Sequence, residues 1–575
     1  MAQATDPISS SPQATRYASV DFLRGASIVV MLILHAVMDT LDSEYYISRL
    51  ETEGIINIAA LILLPLCGGL AGLFLLTSAI GNMLGMSRNL QKGHTPYAVM
   101  RKQILGGTII VVFAMFAEAV LGYHGGLGQF LLNLDDIGNT DYSPMYYRAF
   151  NIETLHTIGW AEILNGITHG LLAARFDFAK NWGKLIRIYW MLAALVVALT
   201  PIVWWLSSRM IPGYPFATNP VTGQPMFLPV IGTSPWSDLV LYFFINPLAA
   251  PVEPLFPYLA TSYVGSAIGL QIARDPDSFD RSFVRRYFGA GMACFFVGAI
   301  GFSLLLLGVL QSDGVDEMIR RYRQIFDHRY YTSENDMPSG WFWQYLTLSG
   351  ATLMIATLTI RLVEFRGKGK EVAEGLAFIR RFGFIAFTIY TIQWVYFVIH
   401  FGVSIATGRQ AYAPLPWLET WVVVALTLLV LHLLMLAWEK VGYIGSIEWA
   451  IVSINNRLSG IKKQVSAEGK KQRWYQQGRL NVEGVFYGPH WKNLDAGNTP
   501  ADEKKLILQT SIVGILVFPF SVLAFLLIRT FRKAHPDESL FGSRLLTMIG
   551  IVLLVSALAF SLFVSLQDLG FVASA

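Results

Sequence analysis

"RYASVDFLRGASIVVMLILHAVMD" (Arg16–Asp39) is apolar enough to cross a bilayer, yet it carries Asp21, Arg24 and His35. A run of about 20 apolar residues matches the hydrocarbon thickness. Ser19 is placed to cap such a helix, and Asp21 suits its positive amino end. Arg24 and His35 stand eleven residues apart. At about 100° per residue that is three whole turns, so both side chains share one face, about 16 Å apart. A histidine at that depth needs a cavity or a partner. Imidazole titrates near neutrality and is the usual general base. Two readings stand side by side. In one, a buried histidine bonds a neighbouring helix and the arginine reaches lipid phosphate. In the other, a base sits above a cation that holds a ligand.

The rest of the chain agrees with a membrane setting. Of its 575 residues, 54% are hydrophobic and 14% charged, with mean hydropathy +0.48. Soluble domains are nearer 25% charged. The formal charge of +4 is too small to argue for a nucleic-acid partner. Cys67 and Cys294 build neither a disulfide framework nor a cysteine metal site. The expected fold class is therefore all-α, a polytopic integral membrane protein of about twelve transmembrane helices.

Apolar runs place the spans at 20–40, 54–80, 103–122, 152–174, 184–207, 238–271, 287–311, 343–363, 381–402, 419–439, 506–528 and 544–567. The sixth is broken by "NPLAAPVEPLFPY", whose four prolines preclude one straight helix. A half-helix, an unwound turn and a second helix are expected there. Residues 1–15 form a polar tail without the basic region of a signal peptide, so the first helix reads as retained. Residues 16–455 read as one helical domain, 456–505 as a polar connector, and 506–575 as an additional pair of membrane helices.

Loop charge gives an orientation. Arg88–Lys102, Arg175–Arg187 and Arg361–Arg381 are basic, while Asp39–Glu53 holds five carboxylates against Arg49. The amino terminus is expected in the cytosol, with Arg24 near the inner surface of a plasma membrane. "RTFRKAHPDESLFGSR" (Arg529–Arg544) resists the scheme, because it is basic and parity puts it outside. Either a span is miscounted or 457–505 lies outside.

Several further residues carry chemistry. Glu118 interrupts the apolar run "VVFAMFAEAVLGYHGG". It is either a hydrogen bond between helices or a carboxylate partner for His35. Tyr123 and His124 stand at the outer exit of that run, as candidate substrate contacts or as part of a plain turn. Glu153 and His156 are three apart and share a helix face, a candidate acid–base pair. His169, further along, reads as structural. Glu253 sits in the broken sixth span, where it either meets a polar ligand or caps the next helix. Thr388, Tyr390 and Gln393 in "TIYTIQW" read as bonds between helices, and the cluster Arg320–Arg329 as a solvated amphipathic helix. No nucleotide-binding P-loop and no metal-ligand cluster is visible.

The opening stretch resembles the first helix of membrane-bound acyltransferases, the type-three acyltransferases and the lysosomal heparan glucosaminide acetyltransferase group with its bacterial relatives. Their pattern R-x-x-S-x-D-x-x-R-G, with a histidine eleven places on, is matched by Arg16, Ser19, Asp21, Arg24, Gly25 and His35. "RAFNIETLHTIGWAEIL", "PLFPYLATSYVGSAIG", "RRFGFIAFTIYTIQW" and "WEKVGYIGSIEWAI" resemble later segments of the heparan-acetyltransferase group, with Ser446 where proline is usual. The resemblance covers residues 16–455, and 457–575 have no counterpart in it.

It implies acyl-CoA, most simply acetyl-CoA, as co-substrate on the cytosolic side, and a sugar or lipid-linked glycan as acceptor. His35 would be the base, aided by Glu153, His156 and Glu118. Arg24, Arg88, Arg101 and Lys102 would meet the phosphates of the donor. Glu253, Tyr123 and His124 would meet the acceptor. Membrane lipids, a second copy of the chain or a partner on the carboxy-terminal helices are the expected neighbours. The alternative is a non-catalytic carrier of a lipid or small anion, or a scaffold subunit, using the same helices.

Overall fold

The computed structural model describes residues 17–42, 71–178, 180–210, 228–250, 253–273, 282–314, 317–318, 320–321, 340–458, 499–517 and 519–568. Among them the chain is helical, with one isolated bridge, Leu41–Leu415, as the β pairing. The main helices are α1 (Ala18–Thr40), α2 (Ala71–Gln91), α3 (Pro96–Phe116), α4 (Thr154–Arg175), α5 (Trp182–Met210), α6 (Trp236–Ala249), α7 (Leu255–Ile272), α8 (Ser282–Leu310) and α9 (Gly340–Val363). Then come α10 (Ala377–Phe384), α11 (Ala386–Thr391), α12 (Val395–Ala406), α13 (Trp417–Glu439), α14 (Ile447–Leu458), α15 (Pro500–Leu516), α16 (Pro519–Ala534) and α17 (Phe541–Asp568).

Six helical stretches among the described residues are long and apolar enough to span a bilayer: Ala18–Thr40, Pro96–Leu132, Trp182–Met210, Ser282–Leu310, Gly340–Val363 and Trp417–Glu439. Their outward faces are apolar: Leu195 on α5, Ile300 and Leu304 on α8, and Leu433 on α13 all stand exposed. Polar groups turn inward instead. Asn165 on α4 donates to Ser262 on α7 at 2.6 Å, and Thr261 bonds Tyr345 at 2.9 Å. Such a distribution is the inverse of a water-soluble bundle and fits a polytopic membrane protein. His169 takes the structural place expected of it, its two ring nitrogens bonded to Gln103 and Ser266 at 3.0 and 3.2 Å.

The first helix is fixed at both ends by distant chain. Ser19 does not cap it, because the cap position falls on Tyr17, which makes no side-chain cap bond. Glu364, just past α9, accepts from both the backbone N–H and the hydroxyl of Ser19 at 2.9 Å. A carboxylate there satisfies the orphan N–H groups and complements the helix dipole. At the other end Leu415 N–H donates to Thr40 O at 2.7 Å, and Asp42 N–H to Leu415 O at 3.0 Å. In between, α1 and α10 cross at glycines: a Cβ on Gly25 would lie 1.9 Å from the Ile379 carbonyl oxygen.

The sixth span is broken as the prolines require. Between α6 and α7 the backbone of Glu253 is left-handed, with φ 47°. The freed carbonyls are satisfied by protein: Thr157 Oγ1 donates to Glu253 O, and Trp204 Nε1 to Phe256 O at 2.8 Å. Irregular backbone at membrane depth is tolerated only on such terms. The span expected as one helix over 381–402 is in three pieces, α10, α11 and α12, interrupted at Ile385 and at 392–394. The third span ends in a π-helical turn, Ala117–Leu121.

The expected single span 506–528 is overturned. Its residues belong to two helices packed side by side, α15 ending at Leu516 and α16 beginning at Pro519. Ser521 Oγ donates to Gly514 O across the turn at 2.8 Å, and Lys504 pairs with Glu538 at the open end. Ile507, Ile528, Phe531 and Leu540 pack between the arms. The basic stretch Arg529–Arg544 thus returns to the side on which the hairpin began. The hairpin packs on α9, where Arg361 donates to Gln509 at 2.5 Å. In the amphipathic segment after α8, Arg320 and Arg321 pair with Glu317 at 2.7 and 2.8 Å. Arg323, Asp327, His328 and Arg329 lie outside the described residues, as do Cys67 and most of 40–70.

Candidate functional site

Two polar regions lie along α1. The first surrounds Arg24. A cavity of about 340 Å³ is lined by Asp21, Arg24, Asn82, Arg88, Glu162 and Glu448, with Tyr17, Thr77 and Ser78 on its wall. Its volume falls in the range of small-molecule sites. The Arg24 guanidinium stands 5.8 Å from the ring of Phe74 and 5.4 Å from that of Phe387. Those cation–π contacts hold the group in place without using its hydrogen-bond donors. Ser78 Oγ, on the wall, has no hydrogen-bond partner among the described residues.

Of the four cations expected to meet the donor, Arg24 and Arg88 line this cavity. Arg101 and Lys102 do not: Arg101 is exposed, and the Lys102 carbonyl accepts from Asn455 Nδ2 at 3.0 Å. The sequence reading missed Glu162 and Glu448. Glu162 had a signal, because it is an ionisable group inside an apolar run, the same criterion that picks out Glu118. It is bonded to Asn82 and lies within electrostatic range of Arg24. Glu448 is the acidic residue of "GSIEWAI". Its carboxylate accepts from Phe387 N–H at 2.6 Å and Thr388 Oγ1 at 2.7 Å, while Thr388 Oγ1 accepts from Ile447 N–H at 2.9 Å. This interlock fixes the start of α11, and with it the Phe387 ring beside Arg24.

The second region lies at the other end of α1. His35 is half-buried, and its Nδ1 is 2.7 Å from Gln393 Oε1. The Tyr123 ring covers it at 5.5 Å, and the His124 ring meets Tyr123 at 3.7 Å with a tilt of 39°. Both Arg24 and His35 therefore face the 386–394 segment, as the eleven-residue spacing predicts. The expected carboxylate partner of His35 is corrected: the group hydrogen-bonded to it is the Gln393 amide. Asp39, one turn along α1, instead accepts from the Tyr396 hydroxyl.

Glu118, Glu153 and Arg148 lie within electrostatic range of Tyr123, and Glu253 and Tyr390 within range of Glu153. Glu118, in the π-helical turn, is buried and lies within electrostatic range of Glu153 and Arg148. Its Oε2 has no hydrogen-bond partner among the described residues. Tyr390 lies within range of Glu118, Glu153, Glu253 and Tyr123. Four irregular stretches meet here: the π turn, the start of α4, the break at Glu253 and the break at 392–394. π turns and left-handed non-glycine residues concentrate at functional sites.

Glu153 and His156 have a local duty. Glu153 caps α4 and closes a capping box with His156, whose Nδ1 accepts from Glu153 N–H at 3.4 Å. His156 is buried and borders a separate void of about 10 Å³ beside Ala149 and Trp160, room for about one water. Glu253 bonds Thr154 at the same helix start. The fold thus brings Glu118 and Glu253 within range of Glu153, and Glu118 and Glu153 within range of Tyr123, which with His124 adjoins His35, while His156 stays in the first turn of α4 beside Glu153. Among the described residues no group of three or more metal-ligating side chains is assembled. No protein-family model matches the chain, and no curated protein matches its sequence significantly.

Proposed function

We propose that the chain is a membrane acyltransferase that moves an acyl group, an acetyl group in the simplest case, from acyl-CoA to a sugar or lipid-linked glycan. One observation carries the reading. A single helix presents an anchored guanidinium to a cavity at one end and a half-buried, oriented imidazole at the other. Arg24 and Arg88 would receive an anionic part of the donor. His35 would take the proton of the acceptor hydroxyl or amine as its oxygen or nitrogen attacks the thioester carbon. The carbon–sulfur bond then breaks, and the thiolate leaves with the proton that His35 returns. The Glu118–Glu153–Glu253 group, with Tyr123 and His124, would offer hydrogen bonds to the acceptor.

The amino terminus lies in the cytosol of a plasma membrane in this reading. Eleven crossings and the re-entrant α15–α16 hairpin make twelve membrane segments. The hairpin supports that orientation, because it returns the basic loop Arg529–Arg544 to the cytosolic side. The non-catalytic alternative, and within it a scaffold subunit more than a carrier, is favoured by one fact: the residues lining the cavity include Arg24 but not His35.

The test is transfer from labelled acetyl-CoA to glycan acceptors by the purified protein in lipid nanodiscs. His35→Ala is expected to lose at least a hundredfold in rate, the usual worth of a general base, while the protein still folds. A wild-type protein that binds acetyl-CoA without transferring it, or a His35→Ala variant of full activity, refutes the enzyme and leaves the non-catalytic alternative.

A further inference from the structure

We infer that Gln393 is the positioning residue of His35: its amide oxygen selects the imidazole tautomer with hydrogen on Nδ1 and leaves Nε2 bare to act as the base. Its catalytic part rests on the proposed acyl transfer; its structural part does not.

A carboxamide oxygen accepts and cannot donate. With the amide oxygen turned to the ring, at 2.7 Å, Nδ1 of a neutral imidazole carries the ring's one hydrogen, and Gln393 Nε2 is left with no hydrogen-bond partner among the described residues. The imidazole Nε2 then holds the free lone pair. Gln393 is fully buried, so its side chain is held by packing. Its backbone lies in the break between α11 and α12, where Tyr396 N–H donates to Gln393 O at 3.1 Å. Upstream, Glu448 pins the start of α11 two turns away. The segment that carries Gln393 is thereby fixed on both sides.

Among the described residues the hydrogen bond to the His35 ring is that of Gln393; Asp39, one helical turn on, accepts from Tyr396 and acts on His35 through its charge, as His124 and His35 act on each other. His400, also nearby, is bonded to Ala413 O at 3.0 Å. Tyr123 meets the His35 ring at 35° and restrains its rotation. A neutral amide in place of a carboxylate fits this depth, since an imidazolium–carboxylate pair carries a large desolvation penalty in hydrocarbon. It sets the tautomer without adding charge.

The test uses the full chain in nanodiscs with 15N-labelled histidine, the His35 signals being assigned by their loss in His35→Ala. The wild-type protein is expected to show Nδ1 protonated and Nε2 bare, and Gln393→Met to show a mixture of tautomers. In the acetyl-CoA assay Gln393→Met is expected to lose between tenfold and a hundredfold in kcat with little change in KM. Gln393→Glu, which keeps the acceptor, is expected to retain the tautomer. It should also move the acid limb of the pH–rate profile upward, on the order of one pH unit, because a carboxylate favours the imidazolium. A wild-type signal with hydrogen on Nε2, or an unchanged tautomer in Gln393→Met, overturns the inference. If the wild-type protein transfers no acyl group, the catalytic half falls with the proposed function, while the tautomer signal still decides the structural half.

Discussion

Gly25→Ala is the sharpest probe of how α1 is seated. A Cβ at position 25 would stand 1.9 Å from the carbonyl oxygen of Ile379 and 2.8 Å from its carbon. Ordinary van der Waals contact begins near 3.4 Å, so α1 and α10 must part by about 1.5 Å. The opposing atoms are backbone and cannot swing aside. The crossing is closed from the other side too, where a Cβ on Gly383 would lie 2.4 Å from Asp21 O. Overpacking of this kind costs about 1–3 kcal/mol, and a rigid opponent puts the cost toward the upper end. Thermal unfolding followed by tryptophan fluorescence should show Tm lowered by several degrees, at roughly 2–4 °C per kcal/mol for large domains. Arg24 adjoins Gly25, so under the proposed function acetyl-CoA binding should weaken as well. Gly289→Ala is the control, because a Cβ there meets nothing within 4 Å. Its expected effect is a small gain from helix propensity. A Gly25→Ala protein whose Tm stays within a degree of wild type would show that the helices do not meet as described.

Three other outcomes are expected. Burial pushes Glu364 up to about 7, against the hydrogen bonds from Ser19, so the folded protein holds a proton that the unfolded chain releases above about 4.5. Stability should therefore fall as pH rises from 5 to 8, by an amount on the order of a few kcal/mol at most, and Glu364→Gln should flatten that slope; equal slopes in the two proteins contradict the assignment. In a Cys67→Ser, Cys294→Ser background, a membrane-impermeant maleimide should reach Asp537→Cys from the same side as Lys180→Cys and from the side opposite Tyr142→Cys; labelling of Asp537→Cys together with Tyr142→Cys would rule out the hairpin. Glu448→Ala leaves Phe387 N–H and the Thr388 hydroxyl without their acceptor and should cost about 1–3 kcal/mol, whereas Glu448→Gln should cost less, and equal stabilities would argue against the interlock.

Hydropathy made six of the twelve expected spans readable as long apolar helices, and proline the break in another, because both act locally. The run after Arg24 had to be a helix, and four prolines had to break the sixth span. The eleven-residue spacing put Arg24 and His35 against one neighbour because helical periodicity is rigid over three turns. The α15–α16 hairpin was invisible to the same reasoning. A continuous apolar run reads alike whether the chain crosses or doubles back. Its traces were Gly514, Pro519 and Ser521, which permit a close turn, and the basic loop that parity misplaced. Glu153 and His156 read as an acid–base pair because glutamate is not a usual capping residue. Gln393 and Glu448 owe their meaning to partners hundreds or tens of residues away, a relation no spacing rule expresses.

The cap on α1 has a consequence for biogenesis. Ser19 and Glu364 are 345 residues apart in the chain. At ordinary elongation rates of 5–20 residues per second, the carboxylate emerges roughly 20 to 70 s after the helix it caps. The helix thus waits for its cap while the chain between Ser19 and Glu364 is made. Nascent chains that stop short of Glu364 would carry that helix with its amino end unfastened, a difference that quality-control machinery can read.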